Sequence, residues 1–474
     1  MGAIMGALNA ALGFLYDNIL SIAMMLLMIA AGIYLSMRMR FFQFRKFGTV
    51  MKGTAGSLFD KKNHEKSKVG VSPFQAVTTA LAGTIGTGSI AGLATALVSG
   101  GPGAIFWMWI SALLGMVTKY SEIVLSMKYR EENIGGTYVG GPMYYIKNGL
   151  GLRWLAIVFA AFAMIACIGT GNATQSNSIS GVIKSSFGVA PWITGLILTV
   201  IVGAVILGGV KRIASVNEKL VPLMAVFFIL ASLAALAVNV NKIPMAFSLI
   251  FKEAFNFRAA FGGVAGYGIF AAMRYGVGRG VFSNEAGLGS APIAHAASTT
   301  KEPVKQGMWG VFEVFTTTIV ICTMSALVVL TSDVYLDAFY KGSVPDFSGA
   351  ALSGAAYGEA IPYVGEIGVA IATVFFALST ILGWAYYGEV CVGYIFKNHV
   401  LGAVATYRLI YVAFVFVGAV AEIQTVWLVA DCFNALMALP NLVALIALSG
   451  VVAEATKNYF KKKNPLRDEL KDNG

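Results

Sequence analysis

An apolar stretch between residues 76 and 97 is long enough to cross a lipid bilayer, yet a short polar segment interrupts it. The interruption, residues 82–89, reads Ala-Gly-Thr-Ile-Gly-Thr-Gly-Ser and holds three glycines and three hydroxyl side chains. Inside hydrocarbon, a backbone N–H or C=O group without a partner costs several kcal/mol, so an unwound segment survives only where protein, water or a solute satisfies it. The sequence therefore predicts a broken membrane helix with a solute site at the break.

The composition places the whole chain in the membrane. Hydrophobic residues make up 57% of the 474 residues and charged residues only 12%, whereas soluble domains carry about 25% charged residues. The mean hydropathy is +0.75. Apolar stretches of roughly 20 residues predict an all-α polytopic membrane protein with about eleven transmembrane helices. The predicted spans are 17–37, 74–98, 103–127, 154–183, 191–209, 213–238, 262–283, 308–330, 363–395, 400–420 and 424–454.

The basic residues sort by loop, which predicts the orientation. If the N-terminus lies outside, the inner loops and helix ends hold 29 of the 34 Lys and Arg residues, as the positive-inside rule requires. The C-terminal tail is then cytoplasmic, in a multi-pass protein of the cell membrane. Because these charges form no single basic face, the formal charge of +11 does not indicate a nucleic-acid partner. No obligate protein partner is inferred.

A second glycine-rich stretch, residues 262–280, lies five spans after the first interruption. When each half of a chain has an odd number of spans, the two halves have opposite orientations in the membrane. Interrupted helices at matching positions of such halves predict an inverted repeat with a binding site at the bilayer midplane. The expected organisation is an extra N-terminal helix and basic surface segment (1–72), a first repeat (73–238), a second repeat (239–456) and a basic tail (457–474).

The first break can bind both poles of a zwitterion. The half-helix that ends near Ile85 offers free carbonyls, including those of Ala82 and Thr84, and the half that starts near Thr87 offers free N–H groups, including that of Gly88. The alternative is that these glycines only let two helices pack closely, as small residues often do in membranes. The paired interruptions favour a site.

Three segments carry a resemblance to a known family. Residues 100–115 read Gly-Gly-Pro-Gly-Ala-Ile-Phe-Trp-Met-Trp-Ile-Ser-Ala-Leu-Leu-Gly, residues 278–292 read Gly-Arg-Gly-Val-Phe-Ser-Asn-Glu-Ala-Gly-Leu-Gly-Ser-Ala-Pro, and residues 375–384 read Phe-Phe-Ala-Leu-Ser-Thr-Ile-Leu-Gly-Trp. The first resembles the signature of the alanine or glycine:cation symporter family. The resemblance implies a five-plus-five inverted repeat of leucine-transporter type and Na⁺-driven uptake of alanine or glycine.

The resemblance also implies a Na⁺ site. Hydroxyls of Ser379 and Thr380 would join the carbonyls of Ala82 and Ile85, with Phe376 supplying a further carbonyl. Neutral oxygens of this kind suit a hard cation. Without the resemblance, bonding of Ser379 and Thr380 to their own backbone is the commoner outcome in membrane helices. No cofactor is expected, and Na⁺ enters as the coupling ion.

For the amino acid, the resemblance implies a carboxylate on the N–H groups of Thr87 and Gly88 and an amine near the carbonyls of Thr84 and Phe270. Gln175 is the candidate donor to the carboxylate, with Asn172 as its competitor, and an interhelical polar contact remains open for either. The pocket would be closed by bulky residues that leave room for little beyond a methyl group. These are Phe270, Met273 and Trp384, with Thr380 at its edge.

Arg274 is a candidate gate residue, because a charge at membrane depth usually faces a partner or water. Its conceivable partners are Glu122, Glu285 and Glu313. Arg279 and Glu285 are expected near the inner end of the same helix.

Three other functions remain as alternatives. A proton-coupled transporter of the same fold would need an intramembrane carboxylate or histidine, and the first broken span holds neither. An intramembrane enzyme is disfavoured, because the three histidines show no metal-binding spacing. A channel would not concentrate its solute.

Overall fold

The computed structural model describes residues 2–58, 70–133, 136–256, 268–341 and 349–463. Within these ranges the regular secondary structure is helical apart from one short hairpin, in which β1 (Glu131–Glu132) pairs antiparallel with β2 (Tyr138–Val139), and one isolated bridge between Val71 and Ser298. The α-helices are α1 Gly2–Leu15, α2 Ser21–Arg38, α3 Phe42–Arg45, α4 Phe47–Gly53, α5 Pro73–Thr84, α6 Ala91–Gly100, α7 Gly103–Tyr129, α8 Pro142–Leu150, α9 Arg153–Ile168, α10 Thr174–Phe187, α11 Pro191–Ile206, α12 Gly209–Val238, α13 Ile243–Ala254, α14 Ile269–Asn284, α15 Ala291–Ala296, α16 Pro303–Val314, α17 Thr323–Leu330, α18 Asp333–Tyr340, α19 Gly349–Ala360, α20 Gly365–Ile395, α21 Val400–Val420, α22 Ile423–Ala447 and α23 Ser449–Lys463.

Three π-helical turns continue pairs of these helices as single rods. They are Tyr16–Leu20, Gly169–Ala173 and Phe315–Cys322, which join α1 to α2, α9 to α10 and α16 to α17. Short 3₁₀ turns occur at Ala55–Ser57, Thr87–Ser89, Val240–Lys242 and Lys397–His399.

Eight continuous helices among the described residues are long and apolar enough to cross a bilayer. Three predicted spans are not among them: residues 74–98 form two half-helices, α11 has 16 residues, and the start of span 262–283 lies outside the described residues. The chain is thus a helical membrane protein, and the count of eleven spans stays a prediction.

The first break lies where the sequence predicts it. A capping box starts α5, because Ser72 Oγ accepts from the Gln75 N–H and the Gln75 side chain accepts from the Ser72 N–H. The helix ends at Thr84, a 3₁₀ turn follows at Thr87–Ser89, and α6 starts at Ala91. Residues 85–90 therefore separate two half-helices inside one apolar span.

The second interruption differs from the expectation. Gly276, Gly278 and Gly280 lie inside the continuous helix α14. A membrane helix tolerates single glycines where they allow a neighbouring helix to pack closely. Gly276, for example, packs against the backbone of α7. The expected glycines at 262, 263 and 266 lie outside the described residues. The chain leaves the helix later, at Glu285, which has a positive φ of 57°, and it becomes helical again at Ala291.

The two breaks meet in the interior. The Ser89 and Ser283 hydroxyls are 3.2 Å apart and both residues are buried. The half-helix α5 packs against α12, α15 and α20, whereas α6 packs against α14 and α19. Thr380, which contacts the first break, is the middle residue of the 31-residue helix α20. The first break therefore lies about halfway along α20, and the second break adjoins it.

Candidate substrate and cation site

Oxygen atoms cluster between the end of α5 and the middle of α20. The Thr380 hydroxyl donates to the carbonyl of Ala82 at 2.8 Å and lies 2.9 Å from the carbonyl of Phe376. The Ser379 hydroxyl also donates to Phe376 O at 2.9 Å. Ile85, the residue that follows the end of α5, is buried as well. Two hydroxyls and main-chain carbonyls thus come together without a full charge, which is a donor set suited to Na⁺.

The 3₁₀ turn of the first break faces α10. The Thr87 N–H and the Thr87 hydroxyl both donate to Gln175 Oε1, at 3.2 and 3.0 Å. A Cβ atom added at Gly86 would lie 2.6 Å from Thr380 Oγ1 and 3.4 Å from Gln175 Oε1, so this turn adjoins the cation cluster. Only glycine fits between them.

Trp384 joins the two breaks from the side of α20. Its indole Nε1 donates to Glu285 Oε1 at 2.8 Å, and its Cβ and ring lie against the backbone of Gly171. Glu285 also accepts from the Ser290 hydroxyl at 2.5 Å, and its side chain lies against Gly83 of the first break. A buried carboxylate therefore stands where the breaks meet, and within the described residues no Lys or Arg forms an ion pair with it.

Buried charged groups surround the second break. Lys119 donates to the carbonyl of Asn284, the last residue of α14, and pairs with Glu313 at 2.9 Å. Glu313 also contacts His295 Nε2 at 2.7 Å. The Gly289 N–H donates to Glu122 at 3.0 Å. The backbone groups freed by the break are thus satisfied by side chains of α7 and the neighbouring helices.

A cavity of about 390 Å³ lies on the α19 side of the first break, and its walls include Thr95, Ser178 and Gly349. The Phe282 ring lies against Gly88 of the break and also packs on Trp427 of the cavity wall, with 5.0 Å between ring centroids. Arg279 lines the cavity and makes two hydrogen bonds to Asp431, at 3.0 and 3.2 Å.

Some predicted residues do not reach the breaks. Phe270 is half exposed on the first turn of α14, about 20 Å along the helix from Ser283 at 1.5 Å per residue. Met273, one turn later, is partly buried and lies about 15 Å along α14 from Ser283 at 1.5 Å per residue. Asn172 donates to the Tyr411 carbonyl at 2.6 Å, so Gln175 is the amide that faces the break. Thr84, by contrast, is the last residue of α5 at the first break; its hydroxyl bonds back to its own helix, and the role expected of its carbonyl stays a prediction.

The expected partners of Arg274 were wrong. Arg274 pairs with Asp17, and none of Glu122, Glu285 and Glu313 forms the pair. Asp17 lies at the start of the first predicted span, on the predicted outer side of the membrane. Arg274 therefore lies on that side too, and it no longer counts among the basic residues of the inner loops and helix ends. Glu285 follows the last residue of α14, so it lies at a helix end as expected, and it also lies beside the first break, against Gly83.

Residues 5–472 match the sequence profile of the Sodium:alanine symporter family. The chain belongs to this family. A sodium/alanine symporter of Methanococcus maripaludis, AgcS, is 46% identical over 450 residues, which cover 94% of this chain and 96% of that protein. A probable sodium/glutamine symporter of Bacillus subtilis, GlnT, is 38% identical over 458 residues, which cover 97% and 92%. The chain is therefore a transporter and not an enzyme.

Solved structures show the same fold at low sequence identity. A Na⁺-coupled sialic acid symporter in a substrate-bound outward-open state aligns with a TM-score of 0.54 at 11% identity, over 92% of this chain and 98% of that one. MhsT in complex with L-phenylalanine aligns with a TM-score of 0.55 at 12% identity, over 82% and 98%. This member of the symporter family thus has the leucine-transporter-type fold.

The sequence reasoning missed Glu285 and its neighbours as residues of the site. The signal was present, because the segment that carries the family resemblance reads Ser-Asn-Glu-Ala-Gly-Leu-Gly-Ser over residues 283–290. It holds two glycines with positive φ, Gly287 and Gly289, and is as rich in small residues as the first break. Because residues 262–280 hold more glycines, the sequence led us to predict the second break upstream of its position in the structure.

Proposed function

We propose that this symporter couples inward movement of Na⁺ to uptake of a small neutral amino acid, alanine or glycine, by alternating access around the two breaks. The observation that carries the proposal is the hydrogen bond from the Thr380 hydroxyl to the Ala82 carbonyl, which unites the middle of α20 with the end of α5. In the proposal, Na⁺ binds the oxygens of Ala82, Ile85, Phe376, Ser379 and Thr380. Neutral oxygen ligands bind the ion strongly enough for it to enter the site and weakly enough for it to leave again.

The amino acid would bind beside the cation. Its carboxylate would accept from the N–H groups of Thr87 and Gly88, in the 3₁₀ turn that precedes α6. Its ammonium group would face the carbonyl end of α5 at Thr84 and the Glu285 carboxylate. Glu285 would thus take the role that the sequence assigned to the carbonyl of Phe270. Trp384, which packs tightly against Gly171 and donates to Glu285, would be a bulky wall beside this site, which supports a small substrate over a large one.

Proton coupling is the second candidate, and Glu285 favours it. The sequence placed no carboxylate in the first broken span, but Glu285 is 1% exposed and lies against Gly83 of that span. A buried carboxylate without an ion-pair partner can balance its charge by binding a proton or a cation. A relative in Bacillus subtilis, 37% identical, is a putative sodium/proton-dependent alanine carrier.

The decisive experiment is uptake of labelled alanine into sealed proteoliposomes under separate gradients. Accumulation under a Na⁺ gradient at equal pH, and none under a pH gradient without Na⁺, supports Na⁺ symport. Accumulation under the pH gradient alone, lost in Glu285→Gln, supports the proton-coupled candidate. Flux that never exceeds the outside concentration under either gradient would contradict active transport and favour a channel.

The membrane arrangement follows the same proposal. We place the protein in the cell membrane with the N-terminus outside and the tail 457–474 in the cytoplasm. The N-terminal segment (residues 1–72) precedes repeats at 73–238 and 239–456. The second break, at residues 285–290, lies five predicted spans after the first, as an inverted repeat predicts. Accessibility of single cysteines in the tail to an impermeant reagent tests the orientation.

A further inference from the structure

Basic side chains crowd the surface beside the end of α2. The short helices α3 and α4 follow α2, and the C-terminal helix α23 packs against them. Residues 38–53 include no acidic residue, and α23 has only Glu454. Within the described residues the basic side chains form no ion pair. The exposed ones are Arg38, Arg40, Arg45, Lys52, Lys457, Lys461 and Lys462.

The segment that carries these charges is fixed to the helix bundle by its apolar face. The ring of Phe42 lies 4.5 Å from that of Tyr120 in α7 and 6.0 Å from that of Phe460 in α23, measured between centroids. The ring of Phe47 lies 5.1 Å from that of Phe315, in the π-helical turn after α16. The segment therefore connects α2 with three other parts of the bundle.

The opposite face exposes aromatic rings among the charges. Phe41 and Phe44 are each 50% exposed, with 6.5 Å between their ring centroids. The guanidinium group of Arg45 donates to the carbonyl of Arg40 at 3.1 Å, so a charge lies at the same turn. Exposed rings flanked by basic side chains are typical of a chain that lies on a membrane, because the rings enter the interface while the charges stay at the headgroups.

The backbone at this turn has an unusual residue. The Phe41 N–H donates to the Ser36 carbonyl at 2.6 Å, which closes the end of α2 in a turn that usually has glycine where this chain has Arg40. Arg40 has a φ of 52° and Phe41 a φ of 53°, a conformation that side chains disfavour. Within the described residues the Arg40 side chain makes no hydrogen bond or ion pair. Such uncompensated strain is typical of functional positions.

We propose that the exposed face of residues 38–52, together with the basic residues 457–462 of α23, docks on the headgroups of anionic phospholipids, and that this contact stabilises the protein. Clusters of about four to eight basic residues beside a membrane helix attract such lipids. The exposed rings next to the end of α2 favour a lipid surface over a soluble acidic protein. With the N-terminus outside, the lipids belong to the cytoplasmic leaflet. The inference goes beyond the proposed function and depends on neither the solute nor the coupling ion.

A lipid titration of the purified full-length protein in detergent tests the proposal. We expect phosphatidylglycerol to raise the unfolding temperature of the wild type. Arg40→Gln/Arg45→Gln removes two charges of the surface, and the lipid concentration for half-maximal stabilisation should rise about tenfold or more. Lys184→Gln/Lys252→Gln removes two exposed charges from the predicted outer side. This control should respond to the lipid as the wild type does.

A second variant separates charge from folding. Arg40→Lys/Arg45→Lys keeps both charges and should respond to phosphatidylglycerol as the wild type does, even if it unfolds at a lower temperature without lipid. High salt should reduce the wild-type response, because it screens exposed charges.

Three results would overturn the proposal. The first is an equal response of the wild type and Arg40→Gln/Arg45→Gln, and the second is equal stabilisation of the wild type by phosphatidylcholine. The third is equal stabilisation by glycerol phosphate, which has no acyl chains and would reveal a phosphate site instead of a lipid surface. The titration contains no amino acid and measures no uptake, so its failure and the failure of the proposed function are separate results.

Discussion

The two breaks solve the same backbone problem in different ways. The first, residues 85–90, is rich in glycine, threonine and serine, and its polar neighbours are neutral: Thr380 donates to Ala82 O just before the break, and Gln175 accepts from the Thr87 N–H. The second, residues 285–290, has Glu285 within it and receives hydrogen bonds from Lys119 and donates to Glu122 at its edges. One break is held by exchangeable neutral contacts and the other by buried charges.

The difference assigns different roles to the two breaks. Neutral partners can be replaced by a cation or a carboxylate at moderate cost, whereas separating a buried ion pair leaves an uncompensated charge. The first break is therefore suited to binding and release, and the second to holding the protein together around the site. Glu285 is the exception, because it belongs to the second break and lies against the first.

The largest expected effect comes from removing the charge that anchors the second break. Lys119→Met leaves Glu313 buried without its 2.9 Å partner, and we expect a loss of about 3–5 kcal/mol of stability. Thermal unfolding of the purified protein in detergent measures it. Glu313→Gln in the same chain should recover some of the loss. A Lys119→Met protein as stable as wild type would contradict the conclusion that buried charges stabilise the second break.

Steric closure of the first break should have the next largest effect. In Gly86→Ala the new methyl group would lie 2.6 Å from Thr380 Oγ1, and overpacking of this kind costs about 1–3 kcal/mol. We expect Na⁺-driven alanine uptake to fall more than stability does. Gly92→Ala, where the nearest atom is 3.9 Å away, is the control. Equal uptake in both variants would show that the break is not a binding site.

Loss of one cation ligand should have a smaller and more selective effect. Thr380→Val keeps the shape of the side chain and removes the hydroxyl that contacts Ala82 O. We expect the Na⁺ concentration for half-maximal uptake to rise about tenfold, which corresponds to about 1.4 kcal/mol, with little change in unfolding temperature. Thr373→Val, two turns earlier on α20, removes a buried hydroxyl outside the cluster. The same Na⁺ response in both variants would remove Thr380 from the cation site.

The smallest effect is expected far from both breaks. Asp17 pairs with Arg274, but its side chain is 55% exposed, and exposed ion pairs contribute about 0–1 kcal/mol. Asp17→Asn should therefore change neither uptake nor stability by more than that amount. A large loss of uptake in Asp17→Asn would make the Arg274 pair a gate, as the sequence first suggested.

The fold was largely predictable, because its determinants are local. A run of apolar residues predicts a membrane helix without knowledge of its neighbours, and the glycines and hydroxyls of 82–89 mark the first break for the same reason. The family resemblance predicted Thr380 and Ser379 as site residues. In the structure the Thr380 hydroxyl contacts the Ala82 carbonyl, and the Ser379 hydroxyl contacts the Phe376 carbonyl. It also supplied Phe270, which the structure places half exposed near the start of α14.

The site was less predictable, because its contacts join residues far apart in the chain. Glu285 meets Trp384 across 99 positions and Gln175 meets Thr87 across 88. Neither pairing leaves a periodic pattern, and each depends on how four helices pack. The π-helical turn at Gly169–Ala173 also gave no local signal.

The sequence by itself determined that the chain spans a membrane in many helices, that one helix is broken at residues 82–89, and that the chain resembles a cation-coupled amino acid symporter. These features follow from hydrophobicity, backbone hydrogen bonding and residue order. Only the tertiary structure decided that α14 breaks at Glu285, that Glu285 and Gln175 face the first break, and that Lys119 anchors the second. Those outcomes depend on which buried charges and donors the packed helices bring within hydrogen-bonding distance.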